Sequence, residues 1–219
     1  MHDAPMTTAT TTTRTGPGDI PHPDLRAAAA GAVTVLAALG VSELIAGILP
    51  GATSFVAAVG QVIIDHQPAG AKDLVVGLFG TNDKLALELL IILVGASIGA
   101  LLGLLARRWF TLAAAGFIAF GVLGVVATFD DPLANPGVVV ASAAVSVGFA
   151  LWLLDKFIGP RPASDAVARM PDWSRRTFLL RTAAVGVGAA VAGVAGRQLL
   201  ERQRVAPAAA GAAIPPASE

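Results

Sequence analysis

The chain has no cysteine and no tyrosine, three histidines, and 14% charged residues over 219 positions. Each shortage excludes something. Without cysteine there is no disulfide, no thiolate metal site, no iron–sulfur ligation and no thiol nucleophile. A charged content of 14% lies well below the roughly 25% of a soluble domain. His2 and His22 stand in a polar N-terminal stretch and His66 between two short apolar runs. No run long enough to cross a membrane therefore contains a histidine. A membrane b-type haem normally takes axial histidines from its spans, so the pattern argues against haem. Lys+Arg and Asp+Glu balance at 15 each, which gives no sign of a nucleic-acid partner. No nucleophile–base pair, metal cluster or phosphate-binding loop stands out.

Alanine, valine, leucine and glycine fill the space. The chain is 55% hydrophobic with a mean hydropathy of +0.72, the composition of a protein in contact with the lipid bilayer. A spanning helix needs about 20 mostly apolar residues to cross a hydrocarbon core about 30 Å thick. Four segments meet that length: about Ala27 to Leu49, Leu85 to Ala106, Trp109 to Phe129, and Gly137 to Ile158. The first stops at Pro50-Gly51 and the fourth at Gly159-Pro160. A fifth, about Thr177 to Leu200, is less apolar because Ala and Gly replace Leu. The expected fold is an all-α membrane protein with five transmembrane helices. Residues 1–25, with the Thr-rich run Thr7 to Thr13, read as a disordered cytoplasmic tail. The remaining chain divides into a four-helix bundle over 26–160, a basic loop over 161–176, the fifth helix over 177–200, and a linker over 201–219.

Lys and Arg favour cytoplasmic loops. Arg107-Arg108 is nearly all of the loop between the second and third spans. Lys156, Arg161, Arg169, Arg175 and Arg176 lie between the fourth and fifth, whereas Asp130 and Asp131 lie between the third and fourth. The expected orientation is N-terminus inside and C-terminus outside, in a multi-pass cell-membrane protein. Arg197, Arg202 and Arg204 then fall outside and run against the bias. The outer loop 50–84 holds two apolar pieces too short to span, Phe55 to Ile64 and Leu74 to Phe79. Either an amphipathic connector on the lipid or a shallow re-entrant pair fits them.

Three features bear on function. Gly95, Gly99 and Gly103 are spaced four apart, the small-xxx-small pattern that lets helix backbones approach. The pattern reads as packing and is no sign of a transport path. Glu43 is a carboxylate inside the first span, where a charge is costly. It calls for a partner, and Lys72 or Lys84 on the same side could serve. Glu43 and the Asp65-His66 pair read either as a proton or quinone site or as plain structural and headgroup-level residues.

The third feature is Ser174-Arg175-Arg176-Thr177-Phe178-Leu179-Leu180-Arg181. It resembles the twin-arginine export signal, usually S-R-R-x-F-L-K, read by a translocon that moves folded proteins. Ser174, Arg175, Arg176, Phe178 and Leu179 match it, and Arg181 stands where Lys is usual. The alternative is an ordinary pair of cytoplasmic-side anchors, of which Arg107-Arg108 is another example.

Val62-Ile63-Ile64-Asp65 through Pro68, then Leu78-Phe79-Gly80-Thr81-Asn82-Asp83-Lys84, resembles the N-terminal membrane region of actinobacterial molybdopterin-dependent oxidoreductases of the sulfite-oxidase superfamily. The likeness covers roughly residues 27–204. It implies a molybdopterin-bearing catalytic domain on the outer face, beginning near residue 215, whereas this sequence ends at Glu219. No molybdenum or pterin residue carries over, since the superfamily's metal-ligating cysteine has no counterpart here. The expected role is a membrane anchor for such an enzyme, the chain itself having no catalytic site. The alternatives are an assembly or quinone-contact subunit of a redox complex, or the anchor of another twin-arginine cargo.

Overall fold

The computed structural model describes residues 23–66, 83–129, 131–159 and 174–211, the side chains at 83–85, 175 and 204–211 excepted. Every element among them is a helix. These are α1 (Pro23–Ile48), α2 (Phe55–His66), α3 (Asp83–Ala106), α4 (Phe110–Val126), α5 (Pro136–Ile158) and α6 (Arg175–Gly211). Four stretches are long and apolar enough to cross a membrane: Pro23–Ile48, Ala86–Ala106, Pro136–Ile158 and Arg176–Gln203. That is consistent with a multi-pass membrane protein. The 17 residues of α4 rise about 26 Å at 1.5 Å per residue, and the turn through Phe129 extends it.

Helix limits reflect local chemistry. Pro23, expected in the tail, opens α1 instead, because a proline at the first helical position loses no hydrogen bond. Asn135 caps α5, its side chain accepting from the N–H groups of Gly137 and Val138 at 3.0 and 3.3 Å. Gly159 closes α5 with φ 81°, a backbone region open chiefly to glycine. The helix α6 runs to Gly211 and not to about Leu200. The polar run Glu201 to Arg204 ends the apolar stretch without breaking the helix.

The central helix is α1, and small residues let its neighbours close on it. A side chain at Gly31 would stand 2.1 Å from the carbonyl oxygen of Gly99, and one at Gly103 2.1 Å from that of Ala27. The expected packing role of Gly99 and Gly103 is thus met by α1. On another side, Gly40 meets Ala189, and Gly47 meets Gly196, both of α6. Leu154 and Ile158 of α5 fill the core with Val35 and Phe117. Outward, Leu89, Leu93, Leu101, Val122 and Val191 are exposed. Helices apolar on every face need an apolar surrounding.

The ends of the bundle differ. At one, Arg107 pairs with Asp24, the Arg26 guanidinium lies 4.7 Å over the Phe178 ring, and Phe157 meets Phe178 edge-on at 6.1 Å. Arg108, Lys156 and Arg176 are exposed there. This is the basic end. At the far end Asn135 N–H donates to the Gly51 carbonyl at 2.8 Å, and the Thr53 hydroxyl to Asp131 at 3.1 Å.

Candidate functional site

Among the described residues, the charged side chain most deeply buried within the bundle is Glu43, at 4% exposure. It lies on α1 near the far end, where the chain turns at Pro50-Gly51 and enters α2. Ser54 begins α2 as its N-cap, its Oγ accepting from the Ala57 N–H at 3.1 Å. The same hydroxyl donates to Glu43 Oε1 at 2.7 Å, and the Val56 N–H donates to that oxygen at 3.3 Å. The N-terminus of α2, with its partial positive charge, is therefore aimed at the carboxylate. Among the described residues, Glu43 Oε2 is buried with no hydrogen-bond partner.

Across from Glu43 stands α6. Its backbone presses on α1 so closely that a side chain at Gly196 would lie 2.2 Å from the Glu43 carbonyl oxygen. The next residue, Arg197, pairs with Glu88 of α3. The side chains of Arg197 and Glu88 remain about a third exposed, at 34% and 27%. Further along α6, Gln203 donates to the Gly47 carbonyl at 2.8 Å.

Between α1, α3 and α6 lies a cleft of about 360 Å³. Its walls are apolar, among them Leu36, Ile92 and Ala189, and its polar lining is Glu43 and Arg197. A second cavity, of about 230 Å³, lies between α1 to α5 and is apolar except for Ser42 and Ser146. Among the described residues no group of three or more His, Cys, Asp or Glu could hold a metal ion.

The sequence-selected residues separate into two groups. Glu43 is buried, and among the described residues its partners are Ser54 and the Val56 N–H. Lys72 and the side chain of Lys84 lie outside the described residues. Asp65 accepts from Gln61 at 2.9 Å, and the His66 ring stands 2.9 Å from the Val62 carbonyl oxygen, both exposed at the end of α2. They do not meet Glu43. Of the two short apolar pieces, Phe55 to Ile64 is α2, whose Phe55, Val56, Ala58 and Gly60 are buried. Leu74 to Phe79 lies outside the described residues.

The export-like octet opens α6. Ser174 caps the helix, its Oγ accepting from the Thr177 N–H at 3.2 Å. Arg176, Leu179 and Arg181 are exposed, while Phe178 is buried at 5%. Sequence reasoning did not reach Ser54 or the Glu88–Arg197 pair. The Ser-x-x-Ala start of α2 is a weak cap signal, and nothing in the sequence ties positions 109 residues apart. No protein-family model, curated protein or solved structure matches the chain.

Proposed function

We propose that this chain is the membrane anchor region of an exported molybdopterin-dependent oxidoreductase, tethering a catalytic domain to the outer face of the cell membrane. The observation that carries the reading is the form of α6. Its 37 residues rise about 55 Å at 1.5 Å per residue, well beyond the roughly 30 Å of a hydrocarbon core. It lies along α1, touches α5 through Phe178 at its base, and continues as helix to Gly211 beyond Gln203, which bonds the Gly47 carbonyl near the end of α1. Such a helix starts at an export-like arginine pair and holds its cargo clear of the lipid.

The orientation is five crossings, N-terminus inside. Arg26, Arg107, Arg108, Lys156 and Arg176 gather at the basic end, which the positive-inside rule assigns to the cytoplasm. Arg197, at the far end, is offset by Glu88. No residue here is assigned to molybdopterin, because a chain without cysteine has no thiolate for molybdenum. The burial of Phe178 against Phe157 adds a condition. A translocon can read the octet only before α6 docks on the bundle.

The test is a folded fluorescent protein fused after Glu219. Its accessibility to external protease in cells is compared with that of the Arg175→Lys/Arg176→Lys double variant. Loss of external reporter in the double variant supports the reading. Equal export by both overturns it.

A further inference from the structure

The basic end carries its charge unevenly. Asp24 is taken by Arg107. Around the Phe157–Phe178 contact, by contrast, three cations gather. Arg26 lies over the Phe178 ring at 4.7 Å. Lys156 adjoins Phe157, and Arg176 stands two residues before Phe178, both with exposed side chains. Among the described residues, neither Lys156 nor Arg176 has a carboxylate partner. The carboxylate nearest in sequence to Lys156, Asp155, lies about 100° round α5, and neighbours at that spacing do not face each other.

Lys156 also heads a stripe. Val145, Phe149, Trp152 and Lys156 follow one another at steps of four, three and four along α5, which sets them on one face. All four are exposed, whereas Ala150, Leu153, Leu154 and Phe157 are buried. The rings of Phe149 and Trp152 stack at 5.8 Å. In a helix that crosses a bilayer, the exposed face meets lipid. It offers a cation at the surface, then an indole one turn deeper, at the level where tryptophan settles. Below these come a phenyl ring and a branched side chain, at the depth of acyl chains. The occupant that uses all of this is an amphiphile with an anionic head. A small soluble anion leaves the stripe unused. A phosphocholine head sets its own cation among Arg26, Lys156 and Arg176, like charge on like. An anionic phospholipid brings a phosphate without that countercharge, and clusters of basic side chains at the membrane surface attract such lipids.

We propose that this corner of the basic end binds an anionic phospholipid, its phosphate on Lys156 and Arg176, its glycerol region beside Trp152, and an acyl chain along Phe149 and Val145. The proposal requires only that α5 crosses the bilayer. It depends neither on which face is outside nor on the cargo assigned to α6, and its test involves no export.

The experiment reads tryptophan fluorescence from the full chain reconstituted in vesicles. The chain has three tryptophans, and Trp109→Phe with Trp173→Phe leaves Trp152 as the reporter. The vesicles mix phosphatidylglycerol with phosphatidylcholine, and one lipid or the other carries brominated acyl chains that quench the indole on contact. The two quenching curves give the relative affinity of the lipids beside Trp152. The expected result is a preference for phosphatidylglycerol of about fivefold or more, since each cation near the surface is worth about 1 kcal/mol. Lys156→Gln with Arg176→Gln brings the ratio close to one, and Lys156→Arg retains it. Arg202→Gln, which removes an exposed cation from the far end of α6, leaves it unchanged. If the double variant does not fold, Lys156→Gln alone decides by lowering the ratio. Equal quenching by the two lipids overturns the proposal, and is the outcome if the corner serves an acidic protein instead. A preference that survives the loss of Lys156 and Arg176, or falls as far with Arg202→Gln, also overturns it.

Discussion

The Ser54 hydroxyl donates to Glu43 Oε1 at 2.7 Å while capping its own helix. One side chain thereby starts α2 and holds the buried carboxylate of α1. Replacing Ser54 with alanine removes both bonds at once. The cap alone is worth about 0.5–2 kcal/mol, and the lost hydrogen bond to the carboxylate about 0.5–1.5 kcal/mol, the Val56 N–H still donating to that oxygen. We expect Ser54→Ala to lower the thermal unfolding midpoint in detergent clearly, and Ser54→Thr to retain most of the stability. Equal melting of Ser54→Ala and wild type would show that the contact does not hold α2.

The close approach of α1 and α3 gives a second expectation. At Gly31 any side chain meets the backbone of Gly99 and Gly103, which cannot move without parting the helices. Overpacking of this kind costs about 1–3 kcal/mol. Gly31→Val should destabilise the bundle, whereas Gly188→Val, whose added Cβ meets nothing within 4 Å, should not. Cysteine pairs across α1 and α3 can report the separation directly, since the chain has no cysteine to interfere.

These glycines also mark how far the sequence could be read. Long apolar runs located α1, α3, α4 and α5 to within a few residues, because lipid imposes length and apolarity on a span. The spacing of Gly99 and Gly103 announced a close contact but not its partner. Gly31 carries no such signal alone, and only the tertiary arrangement selects it. Glu43 was legible as an anomaly, a carboxylate inside an apolar run. The helix N-terminus that meets it was not legible, since nothing in the sequence ties Ser54 to Glu43; Lys72 and the side chain of Lys84 lie outside the described residues. The apolar stretch placed the end of the fifth helix near Leu200. Helix formation does not need apolar residues, and α6 continues to Gly211.

Arg197 and Glu88 bridge α6 and α3 at the far end of the cleft. Polar pairs between membrane helices contribute about 0.6–2 kcal/mol. A double-mutant cycle of Arg197→Leu and Glu88→Leu should return a coupling in that range. The single Arg197→Leu variant should increase cross-linking heterogeneity between α3 and α6. A coupling of zero would mean that the bridge does not hold the cleft shut at that end.

Phe178 has two roles on this reading, and they can be separated. In the bundle its ring meets Phe157 and Arg26. Losing the ring pair costs about 0.5–1.5 kcal/mol and the cation contact about 0.5–1 kcal/mol. In the export octet an apolar side chain suffices. Phe178→Leu should therefore reduce stability in detergent while leaving export of a fused reporter intact. Phe178→Asp should abolish both. Export lost with Phe178→Leu at unchanged stability would assign the ring to recognition alone.

The anchor reading rests on which face each end of the bundle occupies. The direct measurement is labelling of single cysteines in intact spheroplasts with a membrane-impermeant maleimide. Arg108→Cys stands at the basic end and Arg202→Cys on α6 at the far end, both at exposed positions. The expected result is labelling of residue 202 from outside, with residue 108 reached only after lysis. Labelling of residue 108 in intact spheroplasts, or protection of residue 202, would contradict an anchor that delivers its cargo to the outer face.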